Sequence, residues 1–295
     1  MLTATEVMAN ISARKALGIP LSEAAWETAL DCVGWPYVFA AWGEECTPAN
    51  RRRRYNADHP TIKTSCKNFG GSGTCEGCKW FPKGERVRMF DCRGFTDWIL
   101  KQFGIDLQGE GATSQWNNKD NWDLKGEIRD VPDDVLVCLF VHNSSTGKKE
   151  HTGFGYKGQT CECSSGVQHF DKRKAKWTHF AIPKGLGGDI KPTIRKGDKG
   201  SYVQLAQTLL MQKGYDLGKW GADGSFGQAT EAAVKAFQGD YGLQPDGVVG
   251  PKTWEALTGQ TVSRLYTVQI PHLTKYKAEA LVQQYSGSFM TEEKG

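Results

Sequence analysis

The sequence predicts an α+β domain followed by a small all-α domain. Three observations carry this. Helical periodicity marks residues 3–17, 22–33 and 90–104. Short apolar runs separated by turn residues fill 135–182. A DGxxG turn then recurs 23 residues on, at Asp223 and Asp246. Helices first and an antiparallel meander second is an α+β order, and 295 residues suffice for about two domains with separate cores.

Residues 22–33 place Ala25, Trp26, Ala29, Leu30 and Val33 on one face, and Gly34 and Pro36 end the run. PYVFAAWG (36–43) is aromatic, with small residues that a ligand or second backbone could approach. Residues 44–88 are rich in Arg, Lys, Gly and Cys without a clear period, so a long insertion or lid is predicted. In 90–104, Phe95, Trp98, Ile99 and Phe103 form a helical stripe, Asp91 is a candidate N-cap and Gly104 a C′ stop. Cys92 then falls in the first turn, where unpaired N–H groups and the helix dipole favour thiolate. A turn at 131–134 introduces a buried strand at 135–141. A polar turn at 143–150 leads to a strand starting at His151, Lys157-Gly158 turns the chain into 160–163, and 177–182 closes the meander.

Beyond a Gly/Pro/Lys linker (185–192), DGSFG with Thr230 recurs as DGVVG with Thr253, each turn feeding a helix. One such helix carries Ala233, Val234 and Phe237, the other Trp254 and Leu257, and an earlier helix carries Val203, Leu205, Leu209 and Leu210. Residues 260–295 end in a strand–helix–strand pattern, a short βαβ-like tail.

The net charge of +4 is mild, and no basic stripe interleaved with aromatics argues for nucleic acid. The longest apolar run is far below the roughly 20 residues that span a bilayer. No basic start followed by an apolar run opens the chain, so no secretory signal is expected. Nine cysteines leave at least one unpaired. Cys46, Cys66, Cys75 and Cys78 cluster in the insertion as reduced thiols, a structural zinc site, or disulfides formed after release. The wide gap between Cys46 and Cys66 fits zinc poorly.

The order PYVFAAWG, FDCRGF (90–95), PDDVLVCLFV (132–141), HTGFGYKG (151–158) resembles the NlpC-type cell-wall cysteine peptidases. These are papain-like α+β enzymes that cut peptidoglycan stem peptides. The resemblance covers most of 25–183 outside the insertion, within a domain spanning 1–184. It implies Cys92 as nucleophile and His151 as general base. The family's third residue lies on the next strand, here Glu162, with His169 as rival; strand placement favours Glu162. Tyr37 matches the tyrosine near the oxyanion, and Asp91 the residue that meets a free amine of the stem peptide. Arg93 replaces the usual serine after the nucleophile. It either adds positive charge at the site or pairs with Asp91 or Asp97.

RKGDKGSYVQLAQTLL (195–210), AVKAFQ (233–238) and DGVVGPKTWEAL (246–257) resemble the small three-helix peptidoglycan-binding domain, here 193–259. The tail weakly resembles the first half of a SPOR-type domain. Together these imply a monomeric peptidoglycan hydrolase, an endopeptidase cleaving the γ-D-glutamyl–diamino acid bond, held on its substrate by a binding domain. No cofactor is implied beyond the zinc alternative, and the partner is the bacterial wall. The missing leader implies a phage or prophage endolysin released by a separate membrane-lesion protein. A CHAP-like amidase and a catalytically inactive wall-binding protein are the alternatives, and Arg93 is the one feature favouring the latter.

Overall fold

The computed structural model describes residues 1–54, 75–188 and 190–259; the predicted tail at 260–295 lies outside them. Helix α1 (Ala4–Ala16) starts at a capping box, in which Glu6 N–H donates to Thr3 Oγ1 and Thr3 N–H to Glu6 Oε2. It packs on α2 (Leu21–Asp31) through Val7 and Ile11 against Ala25, Trp26 and Ala29. Arg14 ties the pair together, 2.8 Å from Glu27 and 2.6 Å from Asp31.

The region predicted as a long insertion or lid holds regular structure at both ends. Strand β1 (Trp42–Glu45) and helix α3 (Pro48–Arg53) open it, and β2 (Arg88–Phe90) closes it. β1 and β2 pair antiparallel, with Trp42 opposite Phe90. Strands of four and three residues are too short to show a period, so cross-chain pairing defines them. The ribbon pulls 36–41 onto the next helix: Val38 N–H donates to Phe90 O at 2.7 Å, and Asp91 N–H to Ala41 O at 2.8 Å.

That helix, α4 (Cys92–Gln102), buries Phe95, Ile99 and Leu100, while Trp98 and Phe103 lie half-buried at its margin. Phe95 meets Phe90 at 5.8 Å and Phe154 at 5.7 Å, which fixes the helix over the sheet. Gly94 permits the closest approach, since a Cβ there would lie 2.1 Å from Ala41 O. Helix α5 (Ala112–Asn117) and strand β3 (Trp122–Glu127) follow in a stretch that carries no clean period in the sequence.

The remaining strands are β4 (Val137–Asn143), β5 (Lys148–Tyr156), β6 (Gln159–Cys163), β7 (Val167–Phe170) and β8 (His179–Pro183). The sheet runs β3-β8-β4-β5-β6-β7 and is antiparallel throughout. The hairpin at Lys157-Gly158 is as predicted, both residues having φ near +50 to +75°. Three details differ from expectation. β7 adds an edge strand, β8 crosses back to lie between β3 and β4, and His151 sits within β5 rather than at its start. Cys138, Phe140, Phe154, Cys161 and Cys163 face the helices. Val137, Leu139, Trp177, Phe180 and Ile182 form a second core on the other face.

The C-terminal unit comprises α6 (Ser201–Gln212), α7 (Gln228–Asp240) and α8 (Pro251–Thr258) around Val203, Ala206, Leu210, Val234, Phe237, Trp254 and Leu257. Leu205, predicted on the apolar set of α6, is exposed, and Ala206 takes the core position. Each DGxxG turn is stitched by one buried glutamine. Gln207 receives Gly224 N–H and donates to Asp223, Ser225 O and Thr230. Gln238 receives Gly247 N–H and donates to Asp246, Val248 O and Thr253. Among the described residues no helix is long and apolar enough to cross a membrane.

Candidate active site

Asp91 caps α4, accepting Gly94 N–H at 2.6 Å, so Cys92 is the first helical residue. The Cys92 sulfur meets the backbone N–H of Thr152, next to His151 on β5. Burial pushes the thiol up to about 11, and the neighbouring Asp91 carboxylate adds to that; the N–H groups of Thr152 and Arg93 oppose both. This corrects the expected thiolate. A helix terminus contributes roughly 0.3–1 kcal/mol, under one pH unit, whereas burial moves a group by up to about 3–5 units.

Tyr37, bridged to Phe90, is half-buried. Its hydroxyl is raised by burial and by the nearby Cys92, Asp91 and Cys163, so it stands as a neutral donor beside the thiol.

On β5, Thr152, Phe154 and Tyr156 are buried, and alternation turns His151 and Gly153 the other way. There, on the face of the sheet opposite Cys92, the His151 ring stacks on Trp177, centroids 5.4 Å apart and 16° from parallel, so the structure does not bring the expected base and nucleophile together, because alternation along β5 gives Thr152 the side that faces α4. His151 Nε2 lies 2.5 Å from Glu162 Oε2. Gly153 leaves room for this, since a Cβ would stand 2.9 Å from that of Glu162. Burial raises the Glu162 carboxyl, but hydrogen bonds from His151 and Lys176 outweigh it and hold the group below the ordinary glutamate range. An ionised carboxylate only accepts, so His151 Nε2 is the donor in this contact.

His169 lies elsewhere. It pairs with Cys161 across β6–β7, its Nε2 contacts Gln159 Oε1 at 2.9 Å, and its ring meets Trp26 at 5.8 Å. Arg93 Nε lies 2.8 Å from Asp97, and its guanidinium sits 4.7 Å over Trp42. Asp97 is raised to about 6 by burial, against the pull of Arg93 and a 2.6 Å hydrogen bond from Gln115. Sequence reasoning missed Thr152, Trp177 and Lys176. Only strand alternation about His151 could have pointed to the first, and nothing in the pattern signals the others.

In the insertion, Arg51 Nε donates to Cys46 Sγ at 3.2 Å, and Cys78 N–H closes a turn on Cys75 O. Cys66 lies outside the described residues. Among those residues, no group of three His, Cys, Asp or Glu side chains could hold a metal.

Residues 199–257 match the peptidoglycan binding domain family PG_binding_1. The match covers all three helices of the C-terminal unit but for the last residue of α8. A probable N-acetylmuramoyl-L-alanine amidase of Bacillus licheniformis is 43% identical over 70 residues, 24% of this chain and 20% of that protein. The chain thus spans about a fifth of the length of this curated relative. The Burkholderia AP3 phage endolysin structure is 42% identical over 25% of this chain and 28% of its own, with a TM-score of 0.22. The P60 domain of an M. avium paratuberculosis antigen covers 55% of this chain and 92% of its own at 14% identity, TM-score 0.34. The α+β domain thus precedes a segment that matches a putative peptidoglycan binding domain.

Proposed function

We propose that the chain is a peptidoglycan hydrolase, a cysteine endopeptidase cutting the γ-D-glutamyl–diamino acid bond of the stem peptide. One observation carries this reading. The Cys92 sulfur, at the start of α4, lies beside the Tyr37 hydroxyl and the backbone N–H of Thr152.

The Cys92 sulfur attacks the scissile carbonyl, and its proton passes through water to the leaving amine. The Tyr37 hydroxyl and the Cys92 N–H donate to the oxyanion. Water then hydrolyses the thioester and restores the Cys92 thiol. Asp91 lies beside the thiol and selects a free amine on the residue preceding the attacked carbonyl. The chemistry needs no cofactor. The binding domain raises the effective concentration of enzyme at its substrate, and an endolysin-like release to the wall suits this pairing.

The name of the Bacillus licheniformis relative favours a second reading, an amidase acting at the sugar lactyl group. Digestion of purified sacculi followed by mass spectrometry separates the two. L-alanyl-D-glutamate ends and new diamino-acid amines support the endopeptidase. Intact stem peptides released from the glycan establish the amidase instead.

A further inference from the structure

The neighbouring strands β3, β8, β4 and β5 each turn one basic side chain to the face that carries α4: Lys125, His179, His142 and Lys149. Register sets this. Lys125 pairs with Ala181, and Phe140 stands opposite both His179 and Thr152. Two residues past Phe140, His142 returns to the same face opposite Lys149. Trp116 of α5 is their common centre. Lys149 Nζ lies 4.4 Å and Lys125 Nζ 4.8 Å from its ring centroid, and the His179 ring meets it edge-on at 5.2 Å. His142 in turn meets the His179 ring at 5.3 Å.

This group lacks an anion. Lys149 is 7% exposed, and the charged neighbour that acts on it is Lys125, another cation. Buried His142 Nδ1 has no hydrogen-bond partner among the described residues. The acids nearby are engaged elsewhere: Glu127 with Arg129 at 3.2 Å, Glu150 with Asn143 at 2.7 Å, and Asp97 with Arg93 and Gln115. Burial and Lys125 push Lys149 down to about 8, and burial with Lys149 and His142 lowers His179. A buried lysine ordinarily sits against a counter-charge. Here the place for one is open.

We propose that Lys149 and His142, walled by Trp116, form a subsite for a carboxylate on the leaving side of the stem peptide. This rests on the reading of Cys92 as a nucleophile toward that peptide. The Cys92 sulfur meets Thr152 N–H, and Lys149 lies three residues before Thr152 on β5, so the subsite stands roughly 10 Å from the sulfur. The attacked carbonyl takes about 3–3.5 Å of that span, and each further residue covers at most about 3.6 Å. The subsite therefore meets a group about two residues from the scissile bond. On the acyl side, Asp91 is assigned to an amine. On the leaving side the peptide ends in a carboxylate, at its C-terminus or, where the diamino acid has a second carboxyl group, at the end of that side chain. Lys149 supplies the charge and His142 a hydrogen bond.

The test uses the full chain with Cys92→Ala, which prevents turnover. Isothermal titration compares the stem tetrapeptide L-alanyl-γ-D-glutamyl-diaminopimelyl-D-alanine with forms in which one or both leaving-side carboxylates are amidated. The free peptide should bind about 10-fold tighter than the doubly amidated one, as one charge-assisted hydrogen bond implies. Lys149→Met should bring that ratio close to one, and His142→Phe should lower it to about three. Amidating one carboxylate at a time identifies which of the two is held. Equal affinity for free and amidated peptides, or a ratio left unchanged by Lys149→Met in a folded protein, overturns the proposal. Peptide bound at the C-terminal unit would be blind to Lys149. Should wild-type protein leave sacculi uncut, the hydrolase reading fails and the ratio still decides the subsite; cut sacculi with a ratio of one fail the subsite alone.

Discussion

Glu162→Gln tests the placement of His151 and Glu162 most directly, because it keeps the side-chain volume and an oxygen for His151 while removing the charge. Both side chains lie on the face of the sheet opposite Cys92, so kcat on purified muropeptides should stay within about two-fold of wild type. The cost falls on stability instead. At an effective dielectric of about 20, a buried carboxylate about 4 Å from a cation is worth roughly 4 kcal/mol. The Lys176 side chain is partly exposed, which cuts this to roughly 2 kcal/mol. Denaturant midpoints read that loss, and steady-state hydrolysis of purified muropeptides gives kcat and KM. A fall in kcat of about 30-fold in a variant of unchanged stability refutes the placement and returns Glu162 to a catalytic role.

Four other outcomes are expected. Cys92→Ala should abolish wall lysis while pelleting with sacculi persists, whereas His151→Ala, on the other face of the sheet, should leave lysis largely intact in a folded protein; loss of lysis in both would show that the two act as a unit. Alkylation of Cys92 in the wild-type protein should keep rising with pH towards about 11, and a plateau reached near neutrality would show a resting thiolate. Gly94→Ala should destabilise the first domain by more than about 2 kcal/mol, read from denaturant midpoints, since the new Cβ meets backbone rather than a movable side chain. Gln238→Leu removes four hydrogen bonds and strands buried partners, a loss of roughly 3–5 kcal/mol. Sacculus pelleting should fail while hydrolysis of soluble muropeptides continues.

The parts of the molecule legible in the sequence are those set by local chemistry. Asp91 announces its cap, the stripe through Phe95 and Ile99 announces α4, and Lys157-Gly158 announces its hairpin. The alternation of Cys161, Glu162 and Cys163 across one strand was readable because its period is two residues. What was not legible depends on distant partners. β1 and β2 are too short to carry a pattern and exist because Trp42 meets Phe90. The place of β8 between β3 and β4 is a matter of which edge is left open, and no residue near 179 encodes it. The Cys92 thiol was read with the wrong sign because the dipole of α4 is a sequence-local term, whereas the burial that outweighs it comes from the whole domain. In the C-terminal domain the repeated turns were visible, but Gln207 and Gln238 were not. They sit on the preceding helices at unequal distances from the loops they hold, so the 23-residue repeat does not include them.

The position of β8 also sets an order of events during synthesis. Leu124 must wait for Ile182, and Cys138 for Ala181, before the middle of the sheet can close. Contacts of such long sequence separation form late and slowly. The segment that sets Trp177 against His151 leads directly into β8, so a ribosome-bound chain ending short of about residue 180 would expose β4 as an open edge prone to pairing elsewhere. Such a chain would already hold the face that carries Cys92 and Tyr37, while the other face still lacked Phe180 and Ile182.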